Sequence, residues 1–93
     1  MRWTGRRPIT FEDVWQRIGH HAGEEFRTVA DLSFTYEAYD AYIRPSGVRQ
    51  NISKGDFRKA YELLPLQGPG TISKTVRGPS YVYAILSDPR IVG

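Results

Sequence analysis

Residues 68–75 read GPGTISKT and nearly spell a phosphate-cradling loop: Gly68, four residues, then Ser73, Lys74 and Thr75. Such a loop wraps backbone amides around the phosphates of a nucleotide and places a lysine on them. It works only where a buried strand delivers the chain and a helix N-terminus receives the anion. Here a helical pattern closed by Pro65 comes first, and Val76-Arg77-Gly78-Pro79 after Thr75 does not carry a helix through its first turns. Ser73 also stands where a second glycine must let the backbone approach the phosphate. The segment therefore reads as a turn-rich connector, leaving Lys74 and Arg77 as secondary contacts to a nucleic-acid backbone.

Other constellations that carry chemistry are incomplete. His20 and His21 precede Glu24 and Glu25 at helical metal-ligand spacing, but the helix is expected to stop at Gly23 and no third or fourth ligand cluster follows. Histidines at a helix C-terminus, favoured by the macrodipole, account for them. The chain has no cysteine, so it has no thiolate nucleophile, thiolate zinc site or disulfide. Gly78-Pro79-Ser80-Tyr81-Val82 matches only the first half of a nucleophile elbow. Asp31, Glu37 and Asp40 are scattered over turns and strands. The expectation is a non-catalytic protein without a metal or cofactor.

Two sets of residues suit binding instead. Phe34, Tyr36, Tyr39 and Tyr42 fall on adjacent strands, where exposed tyrosines stack bases and buried ones form core. The segment RPSGVRQNISKGDFRK then gathers Arg44, Arg49, Asn51, Lys54, Arg58 and Lys59, delivering cations through a loop to a capped helix N-terminus. Asp56 opposes an anion there. The first nine residues add Arg2, Arg6 and Arg7 as a basic arm of the kind that reaches into a groove.

Charge agrees with this reading. Ten of the thirteen basic residues are arginine and the formal net charge is +3, giving a sequence pI near 9.4. Arginine forks match phosphates and stack on bases. A GC-rich coding sequence produces the same bias, so basicity alone decides little.

The elements that must position these residues follow from periodicity. Ninety-three residues, 40% hydrophobic and 25% charged, make one ordinary globular domain, read as an arm at 1–9 and a domain at 10–93. Thr10 caps a helix with Asp13 in a near capping box, and Phe11, Val14, Trp15, Ile18 and Ala22 form its apolar stripe. Phe26–Val29, Phe34–Tyr39 and Ala41–Arg44 read as a three-stranded antiparallel meander, with Phe34, Tyr36 and Ala38 alternating against Thr35, Glu37 and Tyr39. Ser53 caps a second helix carrying Phe57, Ala60, Tyr61 and Leu64 at i, i+3, i+4 and i+7. Pro79 opens a last helix that packs through Tyr81, Val82, Ile85 and Leu86. The expected fold is α+β: an N-terminal helix, the meander, then two helices on one sheet face.

No apolar run is long enough to span a bilayer, and a cytoplasmic protein without membrane contact is the expectation. The leading functional reading is a nucleic-acid-binding module, for DNA, holding phosphates from the basic loop and helix. The alternative is a protein-interaction or regulatory module, including a homodimeric form, suggested by two tryptophans and six tyrosines in so short a chain. An exposed sheet face that is basic and aromatic favours the first; an apolar, neutral one favours the second.

Overall fold

Thr10 starts the first helix by the expected reciprocal bonds. Its hydroxyl accepts the Asp13 N–H at 3.2 Å while its own N–H donates to the Asp13 carboxylate at 3.3 Å. The computed structural model describes residues 10–64 and 68–92. The basic arm, with Arg6 and Arg7, and the closing role of Pro65 lie outside the described residues. Helix α1, Phe11–His20, buries Phe11, Val14 and Ile18, with Trp15 and Ala22 packed beside them. It ends at a His21 C-cap, and Gly23 then adopts a left-handed φ of +90° while donating its N–H to Tyr36 O at 3.0 Å.

The strands follow as β1 Phe26–Arg27, β2 Ser33–Phe34, β3 Tyr36–Ala38, β4 Tyr42–Pro45 and β5 Ile52–Ser53. They form an antiparallel pair, β1–β2, and a three-stranded antiparallel sheet ordered β3–β4–β5. The architecture is the expected α+β fold with a three-stranded sheet, but its membership differs from the meander. Phe34–Tyr39 does not run as one strand. At Thr35 the chain changes partner: Phe34 faces Phe26, whereas Tyr36 faces Pro45. Thr35 itself donates its N–H to Ser46 Oγ and accepts the Ser46 N–H. The turn from β1 to β2 closes with Thr28 N–H on Leu32 O at 3.0 Å and Asp31 at φ +66°. Ile52–Ser53 supplies the third strand after the chain reverses at Gly47, whose φ is +78°.

Helix α2, Lys54–Glu62, takes Ser53 as N-cap, with the hydroxyl accepting the Asp56 N–H at 3.1 Å. Unlike Asp13, Asp56 turns its carboxylate away from its own cap to accept the Arg77 N–H at 3.1 Å. The expected connector after residue 68 contains a 3-10 turn, Pro69–Ile72. Ile72 is fully buried and Val76 nearly so, and they peg the segment to the core. Burying an isoleucine side chain stabilises by roughly 1.5–3 kcal/mol, which offsets part of the entropy lost in ordering the segment. Helix α3, Pro79–Leu86, buries Val82, Ile85 and Leu86, and a short α4, Pro89–Val92, follows it.

One core joins these parts, with Tyr36, Ile43 and Ile52 contributed by the inner sheet face and Phe57, Ala60 and Val82 by the helices. Arg90 fastens α4 across the molecule. Its guanidinium reaches Asp88 at 2.9 Å, Glu24 at 3.0 Å and the Glu25 carbonyl at 2.9 Å, and lies 3.9 Å from the Phe26 ring centroid. Among the described residues no helix is long and apolar enough to cross a membrane.

Candidate nucleic-acid interface

Alternation fixes what the outer face of the sheet presents. With Tyr36 and Ile43 buried and Ala38 packed against the core, Glu37 and Arg44 point outward as a cross-strand pair, and Tyr42 lies opposite Ser53. Among the described residues the helices pack on the inner face, and the outer strand positions carry Tyr42, Arg44 and Ser53 with one acid, Glu37.

The β3–β4 turn sets the aromatic part of this face. Asp40 and Ala41 connect the strands, and Tyr39 N–H donates to Tyr42 O at 2.8 Å. Both turn carbonyls are occupied: Trp15 Nε1 donates to Asp40 O at 3.2 Å, and the Lys54 N–H donates to Ala41 O at 2.8 Å. The turn is thus tied to α1 and to the first turn of α2. Flanking it, Tyr39 and Tyr42 stack with centroids 4.7 Å apart and planes 22° from parallel. Tyr39 remains 45% exposed. Its hydroxyl donates to Glu37 Oε1 at 2.7 Å, and this bond raises its pKa above the ordinary tyrosine value. The other tyrosines are engaged elsewhere: Tyr36 is buried, and Tyr61, Tyr81 and Tyr83 pack around the core.

Beside the tyrosine pair opens a shallow cleft of about 550 Å³, lined by Tyr42, Arg49, Gln50, Asn51, Asp56 and Arg77 among others. It exists because Asp56 draws the Arg77 backbone against the start of α2, bringing the connector up to the β4–β5 loop. Arg44 sits next to it, donating from Nε to Asn51 Oδ1 at 2.9 Å, and also lines a smaller hollow of about 270 Å³ at the far end of the strand. Among the described residues the side chains of Arg49 and Arg77 form no ion pair. Within the cleft Arg49 and Arg77 are set against one carboxylate, Asp56, a modest positive balance, while on the adjoining sheet face Arg44 is offset by Glu37 and the exposed turn residue Asp40.

The structure divides the cluster expected from sequence. Arg44, Arg49, Asn51 and Tyr42 come together, joined by Tyr39 and by Arg77 from a segment 28 residues downstream of Arg49. Lys54 and Arg58 instead meet Glu12 of α1, at 3.2 and 3.6 Å, and Arg58 lies 5.0 Å from the Phe11 ring centroid. Lys59 and Lys74 are exposed and outside the cleft. Gln50, an amide able to donate and accept, was not singled out from sequence, nor was the neutralising Glu12; 42 residues separate Glu12 from Lys54, and no local pattern marks the pair.

Among the described residues no three His, Asp or Glu side chains are placed to hold a metal ion. His21 Nδ1 lies 2.9 Å from Glu24, whose pKa is lowered by that bond and by Arg90. In the Gly68–Thr75 stretch the element upstream is α2 rather than a strand, and a 3-10 turn occupies the place of a phosphate cradle.

The chain has no significant match to a family model, a curated protein or a solved structure.

Proposed function

We propose that the protein is a non-catalytic nucleic-acid-binding module, with DNA as the expected ligand, and that it binds through the outer face of its β3–β4–β5 sheet and the adjoining cleft. One observation carries this: Arg49 and Arg77, without ionic partners among the described residues, line a cleft beside a stacked, solvent-facing tyrosine pair. Guanidiniums supply phosphate contacts, and a basic, aromatic face is the footprint that such binding needs. Lys54 and Arg58, already paired with Glu12, have secondary weight.

The test is fluorescence anisotropy with labelled oligonucleotides at low and near-physiological salt. The double variant Arg49→Ala/Arg77→Ala is expected to weaken binding and to flatten the log K against log salt slope by roughly 1.4–1.8, the loss of two phosphate contacts. An unaltered slope removes these arginines from the interface, and no binding at low salt by the unaltered protein removes the reading itself.

A specific feature supports a second reading, a protein-interaction or regulatory module. Val29 and Leu32, each 65% exposed, flank the tip of the β1–β2 turn, away from the arginine cleft. Light scattering over a wide concentration range tests its homodimeric form.

A further inference from the structure

We infer that the face takes a single strand rather than a duplex, stacking one base on the open side of Tyr39 while Arg49 and Arg77 hold flanking phosphates. This rests on the nucleic-acid reading above and narrows its ligand.

The first argument is what a duplex has no use for. Inside a double helix each base has both π-faces covered by its neighbours, so a protein meets only base edges and backbone. An exposed ring stack contributes to binding only when an unstacked base reaches it, as in recognition of single strands. The Tyr39–Tyr42 pair is built for that. Tyr42 supports Tyr39 from one side at 4.7 Å, the Glu37 carboxylate fixes its hydroxyl at 2.7 Å, and the turn between them is tied through Asp40 O and Ala41 O to two helices. Little ring freedom remains to be lost on binding, so the stacking platform is pre-organised.

The second argument is shape. Reading a duplex requires an element that enters a groove, such as a helix or a protruding two-stranded ribbon. The β3–β4 turn is held down at both carbonyls, and the cationic part of the face is a shallow hollow. A flexible strand conforms to such a surface, and a stiff rod touches it over a short arc. The Asn51 and Gln50 amides beside the arginines donate and accept hydrogen bonds, suiting the edge of a splayed-out base.

The experiment compares 5′-labelled single-stranded DNA, single-stranded RNA of the same sequence, and the DNA duplex, at one salt concentration, with the full chain and its Tyr39→Ala, Tyr39→Phe and Arg49→Ala variants. Far-UV circular dichroism checks each fold; Tyr39 is exposed and its removal opens no core cavity. The expected result is tighter binding of at least one single strand than of the duplex. Tyr39→Ala then weakens single-strand binding by roughly 5- to 150-fold, the range for loss of one stacked base, and Tyr39→Phe retains most of it. Comparison of the two single strands shows which sugar the site accepts. Duplex binding equal to or tighter than both single strands, or a Tyr39→Ala variant that binds them unchanged, overturns the inference while leaving the nucleic-acid function intact. Absence of binding to all three ligands overturns the functional reading and the inference with it.

Discussion

Tyr36→Phe removes one oxygen atom from the core, and its cost is legible from the geometry around the last turn of α1. Tyr36 is buried, and its hydroxyl donates to Ile18 O at 2.5 Å. That carbonyl belongs to the end of α1, where the helix no longer supplies a donor: the Ala22 N–H, four residues on, goes to Gly19 O at 3.3 Å. The phenol thus satisfies a buried helix-terminal acceptor, a role that phenylalanine leaves empty while keeping the ring packed 5.4 Å from Phe26. A typical hydrogen bond contributes about 1 kcal/mol net, but leaving a buried acceptor unpaired costs roughly 1–3 kcal/mol. We therefore expect a loss of about 1–3 kcal/mol in urea unfolding, a midpoint lower by on the order of 1 M with the slope unchanged, and a Tm lower by about 4 °C or more. Alkaline pH gives an independent check. Burial pushes the Tyr36 pKa well above the ordinary tyrosine value. A raised folded pKa contributes stability that is present below the unfolded value near pH 10 and is lost as pH rises towards the folded one. This component of alkaline destabilisation disappears in Tyr36→Phe. A variant whose urea midpoint stays within about 0.1 M of the parent, at equal slope, refutes the reasoning, because the Ile18 carbonyl must then have another donor.

Other perturbations have equally definite signs. In Gly78→Ala the new Cβ stands 2.8 Å from Ile52 Cδ1 and 3.3 Å from Gln50 Oε1, at a φ of +55°. The left-handed backbone costs about 1–2 kcal/mol and the overpacking about 1–3 kcal/mol, so thermal melting should show a marked loss. Glu12→Gln removes the carboxylate shared by Lys54 and Arg58, and exposed pairs of this kind are worth about 0–1 kcal/mol, so unfolding should shift by no more than that. Acid titration tests the Arg90 tie. Arg90 holds the Asp88 carboxyl below its ordinary value through their hydrogen bonds, and Glu24 is lowered by His21 and then Arg90. Stability from these depressed groups is present above their unfolded values and is lost as pH falls below about 4 and through the folded ones. Asp88→Asn should show a smaller loss over that window in fluorescence-detected unfolding.

Local signals were readable wherever one residue's backbone chemistry decided the outcome. Thr10 and Ser53 begin helices because their hydroxyls reach an N–H three residues ahead, a relation visible in the sequence. Phe34, Tyr36 and Ala38 turn inward because a strand alternates, even though the strand itself breaks at Thr35. What stayed hidden is long-range. Ile52–Ser53 is too short to show a period of two, and it becomes a strand only because Tyr42 and Ile43 provide a partner. Phe26–Arg27 folds back on its immediate successor and so does not join the main sheet. The arginine cluster looked continuous along the chain, yet Glu12 claims one half of it and Arg77 completes the other. No spacing rule anticipates a carboxylate from another helix, or a connector drawn in by Asp56.

The same long-range contacts explain why Tyr39 and Tyr42 face solvent. Scattered exposed aromatics are ordinary on a protein surface and call for no function. These two differ in being fixed there. The inward positions beside them belong to Ala38 and Ile43, and their turn is held by Trp15 from α1 and the Lys54 N–H of α2. Rotating either ring into the core means breaking those bonds and displacing buried side chains. The cations beside them are positioned by equally specific contacts: Arg44 through Asn51, and Arg77 through its backbone bond to Asp56. Asp56 thus both admits Arg77 to the cleft and opposes the charge it brings, so phosphate attraction there is weakened. If the proposed function holds, affinity depends more on stacking than on charge. Binding should accordingly retain a component at high salt, and that component should be the one Tyr39→Ala abolishes.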